Sequence, residues 1–207
     1  MFKKRERDDK YIADTSLDLF FKKGISSVTI EDIATKSGYG EATIYRHFGS
    51  KTNIVIKCAI NVWDTLFNKY YVPSSDFVSG IEGVHFFFKM FDEVYDSNLE
   101  AARFIAEFDN YIMMNKISPN KLKEYDEVLL KVKGVFDKEF ERGLKDETIR
   151  KDINRDVFYF AVNHSLFMLV EKLTMLPIVK SDKLVNDKEQ IDLIIDMAIN
   201  YLKDLKK

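Results

Sequence analysis

Thr29-Ile30-Glu31-Asp32-Ile33-Ala34-Thr35-Lys36-Ser37-Gly38-Tyr39-Gly40-Glu41-Ala42-Thr43-Ile44-Tyr45-Arg46-His47-Phe48-Gly49-Ser50-Lys51 is the stretch on which the rest of the chain turns. Thr29 stands where an N-cap belongs, and Asp32 sits three residues later, where a capping-box acid reaches back to the cap. The spacing predicts a helix over Ile30–Ser37, with Ile33 facing the core and Ala34 small enough for the next helix to cross closely. Gly38, four residues after Ala34, supplies the permissive backbone for a tight turn between two steeply crossing helices. On the second helix Ile44 and Phe48 point inward. At about 100° per residue, Ala42 and Arg46 lie almost opposite Ile44, with Thr43 and Tyr45 on the flanks. That outer face is the one a major groove would meet.

Outward from this motif the chain reads as helix in both directions. Ile12, Ala13, Leu17, Leu19, Phe20 and Phe21 form an amphipathic stripe that stops at Lys22-Lys23-Gly24, two cations and a glycine in C-terminal places. A long helix over roughly 51–71 follows, bridging a small N-terminal unit and a larger one, and ends at Pro73-Ser74-Ser75. Apolar residues then recur at helical spacing over roughly 77–96, 99–115, 121–143, 154–174 and 188–205, with Gly80, Pro119, Gly143 and Pro177 near the joins. Three prolines and eight glycines in 207 residues leave room for such long segments, and no alternating strand pattern appears. The expectation is an all-α chain of about nine helices.

Composition narrows the function classes. With 46% hydrophobic residues the chain can bury a sizeable core, which excludes disorder. Cys58 is the single cysteine, so neither an internal disulfide nor a cysteine-built zinc site is available, and a reducing cytoplasm fits. No stretch reaches the roughly 18 apolar residues of a membrane span. The formal net charge of −2 conceals an asymmetry: residues 1–60 carry 11 Lys/Arg against 8 Asp/Glu, while the remainder carries 21 against 26. Positive charge gathered in the first quarter suggests that this part meets a polyanion. The Lys3–Arg7 cluster reads equally as an arm reaching DNA or as a solvated tail.

At this point the chain resembles the TetR family of transcriptional regulators. The resemblance is carried by Thr29 before Ile30, Ile33-Ala34, Gly38-Tyr39, Tyr45-Arg46-His47-Phe48 and Ser50-Lys51, and it spans roughly residues 7–60. It implies a helix-turn-helix DNA-binding domain over residues 1–50 and an effector-binding and dimerisation domain over residues 51–207. Ala42, Thr43 and Arg46 are then the candidates for base edges, Arg46 by pairing with guanine O6 and N7. Thr29, Tyr39, Gly40, Tyr45, His47 and Lys51 are the candidates for the DNA backbone, with the amides that open the next helix at Ser50-Lys51. Glu41 departs from a phosphate-friendly surface and is either a specificity residue or a first-turn acid. Tyr39 and His47 also have plain readings as a turn cover and a packing histidine.

The larger half is rich in rings, and an aromatic stripe is more often core than ligand box. The family resemblance nonetheless implies a small effector held inside this domain. The candidates for its lining are Phe87, Phe88, Phe91, Phe104, Phe108, Tyr111, Phe136, Phe160, His164, Phe167 and Met168, with His85 and Asn163 as further polar groups and Glu107 as an acid that would favour a cation. Such a lining suits a lipophilic or planar compound. Residues 157–170 are apolar nearly all round, so the helix must be covered on every side, in part by a second copy. With the last helix it would form a four-helix interface through Phe158, Val162, Leu166, Leu169, Ile191, Ile195, Ala198, Ile199 and Leu202.

The resulting expectation is a cytoplasmic homodimeric repressor, released from a palindromic double-stranded operator by a small lipophilic effector, with no cofactor, no metal and no membrane partner. A ligand-independent DNA-binding protein is the alternative. An enzyme is the remote one: Glu82-x-x-His85 has the spacing of half a carboxylate-bridged di-iron site, and a second such motif is absent from the sequence.

Overall fold

The computed structural model describes residues 2–70, 77–174 and 184–203, with side chains from Lys4 onward. Pro73-Ser74-Ser75 and Pro177 lie outside these residues. Among the described residues the chain folds into α1 (Phe2–Lys23), α2 (Ile30–Ser37), α3 (Glu41–Phe48), α4 (Lys51–Tyr70), α5 (Gly80–Ser97), α6 (Leu99–Met114), α7 (Lys123–Lys145), α8 (Arg155–Thr174) and α9 (Asp187–Leu202). A single 3₁₀ turn, Pro119–Leu122, precedes α7. The all-helical fold with an N-terminal helix-turn-helix is the one expected. One local feature differs: α1 begins at Phe2, so the basic N-terminal cluster is helical. Arg5 and Arg7 there sit beside Asp9 and Asp8, at 3.9 and 3.5 Å.

Packing divides the chain into two compact units, and α4, α6 and α7 contribute residues to both. The first comprises the residues up to Leu66 together with Arg103–Val128. Its core is built from Ile12, Ala13, Phe20, Ile25, Val28, Ile33, Ile44, Ile54, Val55, Cys58 and Ala59, all buried. Helix α6 closes this core from outside the helix-turn-helix sequence. Phe104 stacks on Phe20 at 6.0 Å between ring centres, Phe108 lies 4.8 Å from Tyr125, and the Trp63 indole N–H donates to the Tyr125 hydroxyl at 3.1 Å.

The same helix holds the frame at two polar points. The Glu107 carboxylate accepts from the Ile25 backbone N–H at 3.0 Å, and the Tyr111 hydroxyl is paired with Thr52 Oγ1 at 3.1 Å. Gly24, at φ +79°, is needed twice over there, because a Cβ would also stand 2.6 Å from Glu107 Oε1. Glu107 is thus tied to the chain by its hydrogen bond to Ile25.

The second unit comprises residues 67–102 and 129 to the C-terminus. At its centre Phe88, Phe136, Phe140 and Phe158 pack ring against ring, with centroids 5.6–6.4 Å apart. Phe87 and Tyr159 extend the cluster. Helices α5 and α9 run antiparallel, shown by Lys89 paired with Asp192 and Lys188 with Asp96. Helix α5 crosses α7 at glycine: a Cβ on Gly80 would lie 2.0 Å from the Gly143 backbone nitrogen.

Candidate nucleic-acid interface

The helix-turn-helix is fixed by local chemistry that the sequence specifies. Thr29 caps α2 and forms a full capping box with Asp32: Asp32 N–H donates to Thr29 Oγ1 at 3.0 Å and Thr29 N–H to the Asp32 carboxylate at 2.8 Å. Lys23 at the end of α1 reaches the same carboxylate at 2.8 Å. The Lys23 and Thr29 hydrogen bonds hold the Asp32 pKa far below the usual carboxylate range. Gly38 ends α2 in the left-handed conformation, φ +73°, and sends α3 off across it.

Ile44 is completely buried beneath α3, so the opposite side of this helix is open. Glu41, Ala42, Tyr45 and Arg46 are exposed there and Thr43 is half-buried. The Arg46 guanidinium lies back along the helix and donates to Thr43 Oγ1 at 3.4 Å, which puts two of the three base-edge candidates side by side. After α3 the chain is locked by Asn53, whose Nδ2 donates to the Phe48 carbonyl at 2.6 Å, and by Ser50, whose hydroxyl accepts the Asn53 N–H at 3.2 Å. The amide-bearing start of α4 at Lys51 is where the sequence placed it.

Of the backbone-contact candidates, Gly40 and Tyr45 are exposed, while Thr29, Tyr39, His47 and Lys51 are already engaged within the chain. Thr29 spends its hydroxyl on the capping box. Tyr39 is half-buried beside Tyr11, ring centres 6.2 Å apart; burial and then a hydrogen bond to Asp8 push its pKa up. His47 sits with Nδ1 2.5 Å from Asp9 Oδ1. Lys51 folds back toward the Ser26 carbonyl, Nζ to oxygen 3.4 Å, and burial lowers its pKa. Asp8, Asp9, Asn53 and the bond from Ile25 to Glu107 are not legible in the sequence, because their partners are remote or their side chains carry no periodic signal.

Residues 12–58 match the family model of the bacterial regulatory proteins of the tetR family. The helix-turn-helix of this chain is that of the TetR-family regulators. A curated relative of this regulator is the HTH-type transcriptional regulator YdeS of Bacillus subtilis (strain 168), 23% identical over 177 residues, 79% of this chain and 82% of that one. Another is the HTH-type transcriptional repressor KstR2 of Rhodococcus jostii (strain RHA1), 34% identical over 59 residues, 28% of this chain and 29% of that one. The fold is shared with the solved structure of FadR from Bacillus subtilis in complex with stearoyl-CoA, at a TM-score of 0.70 and 12% identity, covering 93% of this chain and 98% of that one. The chain is therefore a transcriptional regulator with a DNA-binding helix-turn-helix of the TetR kind.

The effector and dimer candidates are placed differently from the expectation. Phe104, Phe108 and Tyr111 belong to the first unit and pack there, while Phe87, Phe88, Phe91 and Phe136 are buried in the second. Helix α8 is turned the other way round from the sequence reading. Its stripe Phe158, Val162, Leu166, Val170 faces its own chain, with Leu166 fully buried. Its stripe Phe160, His164, Met168 faces outward, Phe160 at 46% and Met168 at 59% exposed, while Phe167 and Leu169 are half-buried. Phe160, His164 and Met168 are thus not buried as lining residues. On α9 the expected interface residues Ile191, Ile195, Ala198, Ile199 and Leu202 are likewise buried within the chain, and Leu193, Met197 and Tyr201 point out. The physical reason is that a helix apolar on every side carries no periodic mark of which side is which.

Among the described residues no helix is long and apolar enough to cross a membrane, and no group of three or more His, Cys, Asp or Glu side chains is gathered that could hold a metal ion.

Proposed function

We propose that this regulator is a cytoplasmic repressor that binds a palindromic operator as a homodimer and is released by a small lipophilic effector. The observation that carries the reading is the open outer face of α3, with Arg46 and Thr43 adjacent above a fully buried Ile44. Residues 1–50, with Lys51 at the start of α4, supply the DNA contacts. Ala42, Thr43 and Arg46 read base edges, and Tyr39, Tyr45, His47 and Lys51 hold phosphates. Residues 51–207 bind the effector and dimerise. In a twofold dimer the two α3 helices must reach major grooves about 34–36 Å apart, and the exposed apolar stripes of α8 and α9 are the surface that a second copy would cover.

The effector acts by shifting α4. Support comes from α6, which grips Ile25 through Glu107 and the first turn of α4 through Thr52, so that a displacement of α6 is felt at both ends of the DNA-binding frame. FadR of Bacillus subtilis was solved with stearoyl-CoA, and the aromatic second unit of this chain suits an acyl or planar ligand of similar character. Release requires that the ligand prefer the state in which the two reading helices no longer match the groove spacing.

The test is to recover duplexes from a random-sequence pool with the purified chain and to measure their release by fatty acyl thioesters, bile acids and hydrophobic dyes. Symmetric half-sites one turn apart and release by one compound class are expected. Operator held equally tightly in the presence of every ligand that raises the melting temperature would sink the switch. The tight ring-on-ring packing of Phe88, Phe136, Phe140 and Phe158 favours a second reading, a DNA-binding protein without effector, for which no compound shifts the melting temperature.

A further inference from the structure

We propose that Asp9 of α1 is a positioning residue for DNA binding: its carboxylate holds the His47 imidazole by Nδ1 and thereby aims Nε2 at a backbone phosphate. The inference rests on the reading of His47 as a phosphate contact. Asp9 and His47 are 38 residues apart in sequence, yet Nδ1 and Oδ1 lie 2.5 Å apart at the end of the recognition helix. The His47 side chain is only 10% exposed, so its ring cannot swing to find a phosphate, and its direction is set by what holds it. Arg5 stands behind Asp9 at 3.9 Å.

On α2, Asp32 is committed to Lys23 and Thr29 and Lys36 to Asp18, and Glu31 is exposed. A carboxylate on Nδ1 and a phosphate on Nε2 together make the ring a bridge between two anions, with a charge-assisted hydrogen bond on each side. Asp8 repeats the arrangement at the other end of α3: it is 8% exposed, is paired with Arg7 and is hydrogen-bonded to Tyr39. Two consecutive acids on α1 thus hold the phosphate-facing side chains that flank the recognition helix.

The proposal has a sign that simple electrostatics lacks. Removing a negative charge near DNA strengthens binding if charge is all that counts. If Asp9 positions His47, removing it weakens binding. The measurement is affinity, by fluorescence anisotropy, for a duplex that the wild-type chain recovers from a random-sequence pool, at several salt concentrations. His47→Gln is expected to cost about tenfold, and Asp9→Asn about fivefold despite the gain in net positive charge.

Asp9→Asn added to His47→Gln should cost nothing more, because the group it orients is gone. In a His47→Lys background, where the ammonium needs no orienting partner, Asp9→Asn should tighten binding instead. Loss of affinity in His47→Gln without loss in Asp9→Asn, or losses that multiply in the double variant, overturns the positioning role while leaving the phosphate contact standing. No loss in His47→Gln removes the phosphate contact itself and the proposal with it. The His47→Lys pair distinguishes a positioning effect from poor folding, since a misfolded Asp9→Asn chain would bind more weakly in both backgrounds.

Discussion

Helices α2–α3 and helices α8–α9 are both apolar on the side that packs, yet the first pair is legible residue by residue and the second is not. In α2 and α3 the large apolar residues that face inward, Ile30 and Ile33 on one helix and Ile44 and Phe48 on the other, lie opposite a mostly polar side, so Ile33 and Ile44 have one place to go and both are fully buried. In α8 the inward stripe through Leu166 and the outward stripe through Met168 are equally apolar. The difference teaches that hydrophobic periodicity fixes a face only where the opposite face is polar. Where both faces are apolar, the choice is made by partners on other helices.

The contrast between the stripes of α8 and α9 can be broken most severely by charging the outward one. Leu193→Glu with Met197→Glu should yield a folded monomer by sedimentation and lower operator affinity by about 10²–10⁴, the avidity lost when two half-sites are no longer engaged together. Leu166→Ala should do the opposite: a loss of about 2–5 kcal/mol in denaturant stability, as for a filled core site, with the dimer retained. A Leu166→Ala chain that becomes monomeric with its stability intact would restore the face assignment expected from sequence.

Much of the fold was open to sequence reading. The α2 cap at Thr29, its partner Asp32, the left-handed Gly38 and the start of α4 at Lys51 all depend on neighbours within four residues, and each is where the spacing put it. What escaped was long-range. From sequence Glu107 is only an acid that would favour a cation, because nothing in its own helix announces that the Ile25 N–H, 82 residues away, needs an acceptor. Asp9 was hidden for the same reason. The basic cluster near the N-terminus was read as arm or tail because its cations have no apolar period, yet Asp8 and Asp9 neutralise it in place and the helix runs through it.

The DNA-reading side of the comparison sharpens with smaller effects. Arg46→Ala should cost about 1–3 kcal/mol on the selected duplex and relax preference at one base pair, read by competition among single-base variants. Lys51→Ala should weaken all sequences alike and flatten the salt dependence by about one phosphate's worth. Equal losses on every sequence for Arg46→Ala would move it from base edge to backbone.

The smallest effect concerns the cap that makes the motif legible. Thr29→Ala should lower stability by about 1 kcal/mol, the usual worth of an N-cap side chain. Asp32 adds a dependence on acidity whose sign follows from its partners. Lys23 and Thr29 favour the ionised carboxylate and lower its pKa in the folded chain, so the unfolded chain binds the proton more readily. The stabilisation is present above the ordinary aspartate pKa and fades as the pH falls toward the depressed folded value. Thermal melts of Asp32→Asn against wild type from neutral to acid pH should therefore converge as the pH drops. Melting curves that stay parallel throughout would mean that Lys23 and Thr29 contribute nothing through the charge of Asp32, and that the α1–α2 corner is held by Ile25, Val28 and Ile33 alone.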